Sequence, residues 1–401
     1  MKFNFSDSVL GMKPSEIREL NKMASTPGLI SLGGGMPSPE TFPKKDLEDI
    51  MNYVMENYAD LALQYGNTLG NDSAREVIAD MLKKTEGIQA ASKNIIINSG
   101  SQQGLYELAT VLANPGDTII TEEPTYVGAV SAFSANQLRM EGVEMDQQGM
   151  IVEGLEGTIR KLMGDGRKPR FIYVIPTFQN PTGYTMPEER RKVLIEISET
   201  YNIPLVEDNP YGQLRYYGKN VDSIRSMKNG ENTIYLGTFS KVMTPGLRLG
   251  YTIAPDEVME KFNLIKQALD LATNSFSQYV AMEYVKRGVI YRQIEENKKI
   301  YKVKRDRMVS ALREYMDGVA RWSEPEGGMF VWATLNGNID TRMMREQAMR
   351  NGVAYVSGQA FTTNNTQKSS MRLNFTFGSV EQIEEGIKRI RKTVDSYIEK
   401  H

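Results

Sequence analysis

From about residue 94 the chain is punctuated by short runs that are apolar at consecutive positions: NIIIN (94–98), TIIT (118–121), FIYVI (171–175), IPLVE (203–207), TIYLG (233–237) and LGYTIA (249–254). A run with no polar alternation has no solvent face, so these predict strands covered on both sides and largely parallel. The segments between them, GLYELATVLA and PEERRKVLIEISETY among them, have the length and 3.6-residue period of crossover helices. The pattern predicts an α/β fold: a large domain whose mostly parallel central sheet is flanked by helices.

Upstream, Leu47, Ile50, Met51, Val54, Met55 and Tyr58 share one helical face, and Ala74, Val77, Ile78, Met81 and Leu82 share another. Ile17, Leu20 and Met23, behind Pro14 and Ser15, predict a short amphipathic helix ended by SLGGGMPSPETFP. Past Asp270 the chain turns helical, with a charged run from Tyr284 to Arg313, two strand signals (GGMFVWATL and MRLNFTF) and a last helix from Val380 to Ile398. The expected division is an N-terminal arm (1–30), a smaller α+β domain (31–45 with 300–401) and the large domain (46–299). Two domains suit 401 residues, because single cores stop growing at about 250–300.

Composition removes whole classes of chemistry. The single histidine is the last residue, His401, and there is no cysteine, which excludes Ser-His-Asp catalysis, multi-histidine or thiolate metal sites, and disulfides. No metal is expected, and acid–base work falls to Lys, Asp, Glu or Tyr. With 48 basic against 50 acidic residues the chain has no overall field for nucleic acid or a membrane surface. No apolar run approaches about 18 residues and the N-terminus lacks a signal-peptide core, so a cytoplasmic protein is expected.

In open α/β sheets ligands sit beyond the carboxyl ends of the strands. At those ends stand Ser99, Gly100, Ser101 and Gln102; Glu122 to Tyr126; PTFQNPTG; Asp208, Asn209, Pro210 and Tyr211; and Thr238, Phe239, Ser240 and Lys241. A Gly-Ser helix start offers free N–H groups and hydroxyls to a phosphate, and Thr238, Ser240 and Arg248 add to that work. A phosphate site beside a lysine amine is what pyridoxal phosphate requires, and Asp208 is placed to meet its pyridine nitrogen. Asn180 and Tyr211 can reach the ring's phenolic oxygen, and Tyr126 can stack on its face. Singly, each has an ordinary use as cap, turn or core residue; the order in which they recur points to a site.

YGNTLG (65–70), NSGSQQGL (98–105), EEPTY (122–126), QNPTG (179–183), EDNPYGQLRY (207–216), TFSK through GLRLG (238–250), PEGGMF (325–330) and MRLNF (371–375) stand in that order. In these motifs the chain resembles the fold-type-I pyridoxal-phosphate aminotransferases of class I/II over nearly its whole length. SLGGGMPSPETFP is similar to the subgroup holding 2-aminoadipate/kynurenine and bacterial multi-substrate or aromatic aminotransferases. The resemblance implies Lys241 as Schiff-base lysine and proton shuttle, Asp208 as pyridinium partner, Asn180 and Tyr211 on the phenolic oxygen, and Tyr126 stacked on the ring. It places Ser101, Gln102, Thr238, Ser240 and Arg248 on the phosphate, with Tyr65 reaching in from the other subunit of a homodimer; threonine at 238 stands where serine is common.

Arg372, by the same resemblance, grips the substrate α-carboxylate with help from Asn180 and the backbone near Gly35. The implied reaction is a ping-pong amino transfer between an aromatic, 2-aminoadipate-like or aliphatic L-amino acid and 2-oxoglutarate. Arg18, on the short N-terminal helix, is a candidate for a distal carboxylate, with Ile17 and Leu20 lining space for apolar side chains. Its bland alternative is a solvent-facing arginine beside Glu19. The rival functions are a C–S lyase or another fold-type-I enzyme, which keeps nearly all these residues, and a pyridoxal-phosphate-responsive regulator. The regulator needs a DNA-binding module ahead of a pattern that here starts by about residue 30, so it is not expected. GNTLGND has P-loop-like glycines without the Lys-Ser/Thr pair a nucleotide site needs.

Overall fold

Ile95–Asn98, Thr118–Glu123, Ile172–Val174, Leu205–Asp208, Ile234–Thr238 and Gly250–Ile253 are strands, one for each apolar run, in a computed structural model that describes residues 1–12, 16 and 26–399. Numbered along the chain after a short β1 (Ile30–Ser31), they are β2, β3, β6, β7, β8 and β9; β4 (Arg139–Asp146) and β5 (Gly149–Met150) complete one sheet of order β2-β9-β8-β7-β6-β3-β4-β5.

Side-chain alternation explains why the runs are unbroken. Ile119, Phe171, Tyr173, Ile175 and Val206 pack on one face with Leu105 and Leu108 of the helix Ser101–Leu112. Their neighbours Ile120, Ile172, Val174 and Leu205 pack on the other, with Leu155, Ile159 and Leu194 of the helices Val152–Gly164 and Glu188–Tyr201. Each such side chain contributes about 1.5–3 kcal/mol when fully buried. Neither face is left for polar residues.

The sheet is mostly parallel, as expected, with two features the apolar runs did not announce. β9 lies antiparallel between β2 and β8, because the segment 239–249 returns directly from β8 without the crossover helix a parallel neighbour needs. β4 and β5 have no apolar run to announce them. They form the sheet edge, where only Val143 of β4 is buried, and an edge strand can carry RMEGVEMD because half its surface meets water.

The second sheet is antiparallel, β10 (Ala320–Trp322), β11 (Phe330–Leu335), β14 (Ser370–Asn374) and β13 (Val356–Ser357) in that order. β1 pairs with β12 (Val353–Ala354), tying residues 30–31 to this C-terminal part. The last helix spans Val380–Ile398, opened by a capping box between Ser379 and Gln382. A single helix, Val289–Met316, runs through residue 300. Among the described residues no helix is long and apolar enough to cross a membrane.

From β3 the chain proceeds to β4 on one side, then returns to place β6, β7 and β8 on the other. The crevice at the carboxyl ends of β3 and β6 is therefore a topological switch point, where loops diverge and a ligand can enter.

Candidate active site

The loops after β2, β3, β6, β7 and β8 converge on one cavity of about 440 Å³, which the second sheet closes with Phe330 and Arg372. Among its lining side chains Lys241, Arg248 and Arg372 are cationic and Asp208 is the acid. The cavity is thus built for anions.

Lys241 follows β8 and turns its Nζ to the carbonyl of Gly35 at 3.0 Å. Burial, then the charges of Arg372 and Arg248, lower its pKa from 10.5 to about 8. An ammonium so placed gives up its proton near neutral pH, as a base must. Asp208, 2% exposed at the end of β7, accepts a hydrogen bond from the Tyr173 hydroxyl on Oδ2 at 2.7 Å. Its Oδ1 is buried without a partner. Burial raises its pKa to about 7 against the opposing pull of Tyr173.

Arg372 stands in the middle of β14, opposite Trp332 of β11 and Val356 of β13. It is 1% exposed, and among the described residues no carboxylate pairs with it. Its Nη1 donates to Asn180 Oδ1 at 2.9 Å and its Nη2 to the Gly33 carbonyl at 2.8 Å. Phe330 lies 4.1 Å and Phe361 4.9 Å from the guanidinium, each ring face toward it. Burial lowers even this arginine to about 10. An uncompensated buried guanidinium is costly unless an anion joins it.

Asn180 links this cation to the cavity floor: its Nδ2 donates to the Tyr211 hydroxyl at 3.2 Å. Opposite, the helix Ser101–Leu112 points its N-terminus into the cavity behind Gly100. Gly100 has φ +76°, and a Cβ there would collide with the Arg248 guanidinium, so glycine lets that cation reach the helix start. Thr238 Oγ1 donates to Ser240 Oγ at 3.0 Å, and Arg248 reaches the same oxygen at 3.5 Å. Hydroxyls, a guanidinium and free helical N–H groups form an anion cradle. On the remaining side Tyr126 caps the helix Val127–Ala135, and its ring lies where a Cβ on Gly128 would be.

Residues 31–390 match the family Aminotransferase class I and II. The chain belongs to the class I and II aminotransferases. It is 45% identical to aromatic-amino-acid aminotransferase 1 of Thermococcus litoralis, over 99% of this chain and 95% of that one. The solved structure of kynurenine aminotransferase from Pyrococcus horikoshii, in complex with PMP, KYN and KYA, superposes with a TM-score of 0.94 at 45% identity, covering 98% of this chain and 97% of that one. The α-aminoadipate aminotransferase of Thermus thermophilus, complexed with N-(5'-phosphopyridoxyl)-L-leucine, gives a TM-score of 0.91 at 30% identity over 99% and 98%. The chain is an enzyme, an amino-acid transaminase.

Within this aminotransferase the cavity gathers Gly35, Ser101, Gln102, Tyr126, Asn180, Asp208, Tyr211, Thr238, Ser240, Lys241, Arg248 and Arg372, every residue expected there but two. Tyr65 lies outside it, 86% exposed on its own chain. Arg18, with Ile17 and Leu20, lies outside the described residues. The Gln102 amide is engaged with the Gly128 carbonyl at 2.8 Å, so its side chain braces the Tyr126 loop. The carbonyl of Gly33 bonds Arg372, whereas that of Gly35 bonds Lys241.

Sequence reasoning missed three supports. Tyr173 sits inside the run FIYVI and reads as core, although a tyrosine in a fully buried strand must find its hydroxyl a partner. Phe330 closes PEGGMF, and its ring meets that of Tyr211 edge-on at 5.8 Å besides facing Arg372. Glu122, wholly buried, accepts from the Ile175 N–H and from Gln179 Nε2, both at 3.1 Å; Gln179 also donates to the Pro124 carbonyl at 2.8 Å. It staples the loop after β3 to the loop after β6, which no local pattern could reveal.

Proposed function

We propose that this aminotransferase moves the amino group of aromatic, 2-aminoadipate-like or aliphatic L-amino acids to 2-oxoglutarate, in a ping-pong cycle, as a cytoplasmic homodimer. Its cofactor is pyridoxal 5'-phosphate. The observation that carries the fit is Asp208, which lines the same cavity as a lysine of lowered pKa and an anion cradle and keeps one buried carboxylate oxygen without a partner. A protonated ring nitrogen would give that oxygen its partner. When bound, the cofactor supplies a carbonyl that exchanges amino groups and a ring that withdraws electrons from the substrate Cα.

The protein's own groups then have separable tasks. Ser101, Thr238, Ser240 and Arg248 would hold the phosphate, with Gln102 contributing its backbone N–H from the first turn of the helix and Tyr65 of the second subunit completing the cradle. Asn180 and Tyr211 orient the ring through its phenolic oxygen, and Tyr126 covers its face. Asp208 keeps a positive charge on the ring nitrogen. Lys241 would anchor the cofactor, and its Nζ, lowered in pKa, would be the base that takes the proton from the substrate Cα. Arg372, held by Asn180 and backed by Phe330, grips the α-carboxylate and sets which Cα bond faces Lys241.

The two-part division, 31–45 with 300–401 against 46–299, belongs to the same reading, with the helix Val289–Met316 as the element shared across the boundary at 300; it assigns Arg372 and Lys241 to different parts. Met12, Met36, Val127 and Phe330 line the cavity and offer substrate side chains an apolar, adaptable wall. A distal substrate carboxylate is assigned in this reading to Arg18, from its place in the N-terminal sequence.

Two measurements bear on this reading. A panel of amino donors against 2-oxoglutarate should show the highest kcat/KM for aromatic or long-chain donors and no pyruvate or ammonia without an oxo acid; turnover confined to alanine or aspartate would contradict the substrate assignment. Asp208→Asn keeps the shape and loses the charge. Its turnover should fall about a hundred-fold or more, with the cofactor still bound, and wild-type turnover would remove Asp208 from its role.

A further inference from the structure

Behind the anion cradle a set of polar side chains, Lys266 and Glu107 fully buried and Gln103 and Asp270 half-buried, lies between the helices Ser101–Leu112 and Asp256–Leu269. Lys266 is 0% exposed. Its Nζ donates to Gln103 Oε1 and to both Asp270 carboxylate oxygens, each at 3.0 Å, and stands 4.0 Å from Glu107. Gln103 Nε2 donates to Asp270 Oδ2 at 2.8 Å. The remaining contact of Gln103 leads to the cradle: its Oε1 accepts the Ser99 N–H at 2.6 Å. The Ser99 carbonyl is in turn an acceptor for Arg248 Nη2 at 3.5 Å.

Asp270 is the close carboxylate partner of Lys266, meeting it with both oxygens at 3.0 Å while Glu107 stands 4.0 Å away, and burial raises the Glu107 carboxyl to about 8. Enclosing a lysine here costs more than an apolar side chain of equal volume, and packing two helices does not require one. What the charge does is fix an amide. Lys266 on one end and Asp270 on the other leave Gln103 a single orientation, with its oxygen toward the Ser99 N–H. Without them a flipped amide sets N–H against N–H at the first residue past β2.

We propose that Lys266 is a positioning residue that, through Gln103, fixes the Ser99–Ser101 turn and so sets the affinity of the cradle for the cofactor phosphate. It rests on the reading of that cradle as the phosphate site. The test compares pyridoxal phosphate with pyridoxal, which lacks the phosphate, as probes titrated into the full-length protein stripped of cofactor. Lys266→Met and Gln103→Met should weaken pyridoxal phosphate about ten-fold, the worth of one well-placed hydrogen bond, and leave pyridoxal within about two-fold.

Equal weakening of both probes would assign Lys266 to general packing, and no change in either would remove it from the site; both outcomes overturn the proposal. Arg248→Met separates the two layers of the argument. If it weakens pyridoxal phosphate selectively while the other variants do not, the relay alone is wrong. If it leaves the ratio unchanged, the cradle reading fails and takes the relay with it. Should Lys266→Met not fold, Gln103→Met decides alone, since it leaves the Lys266–Asp270 pair intact.

Discussion

Lys241→Ala will lower transamination by about 10⁴-fold and abolish the long-wavelength absorbance of bound cofactor, while the protein stays folded. The loss is large because one amine has two tasks, anchoring the cofactor and moving the Cα proton. The fold survives because the amine is a cost to it. Enclosed near Arg372 and Arg248, its pKa drops from 10.5 to about 8, so between those values the unfolded chain binds more protons than the folded one. Stability of the cofactor-free protein should therefore rise with pH from about 8 to 10.5 through this group. Thermal melts of the variant should lack that rise, and they should start no lower than wild type at pH 7. Wild-type turnover would refute the assignment outright.

Arg372→Met should reduce kcat/KM for amino acids by about 10³-fold, the loss of a bidentate charge-assisted pair in a buried site. The decisive control is a substrate without the carboxylate. Tyramine, compared with tyrosine, should react at the same slow rate in variant and wild type, because Arg372 has nothing to hold in it. A loss of equal size for both would show that Arg372 supports the cavity walls instead of the substrate. Phe330 and Phe361 already contact its apolar faces, so methionine finds an apolar setting and the fold should persist.

How much of this was legible beforehand depended on whether a residue's neighbours along the chain carried the signal. Six apolar runs foretold six strands of the large sheet, since burial on both faces leaves no other composition open. Edge strand β4 and the helix Thr341–Arg350 went unread, because half-exposed elements need little apolar content. The antiparallel direction of β9 was not legible for a related reason: a run of apolar residues records depth of burial and is silent about direction.

The site divides in the same way. Lys241, Asp208, Asn180, Tyr211 and the cradle residues each end a strand or lie in the segment after one, and the rule that ligands sit at strand carboxyl ends needs only local sequence to apply. Arg372 had no such marker. On β14 it resembled any arginine on a strand, and only the family resemblance singled it out before the structure enclosed it between two rings and Asn180.

By itself the sequence determined the α/β class, the absence of histidine and thiol chemistry, and the set of side chains delivered to the strand ends. Those follow from hydrophobic period and residue type, which act within a few residues. Tertiary structure decided which oxygen of Asp208 is left without a partner, that burial beside two arginines lowers Lys241, and that Lys266 lies beneath the Ser99 turn. These are matters of distance and dielectric between segments far apart in the chain, where the sequence order of the residues has no bearing on the energy.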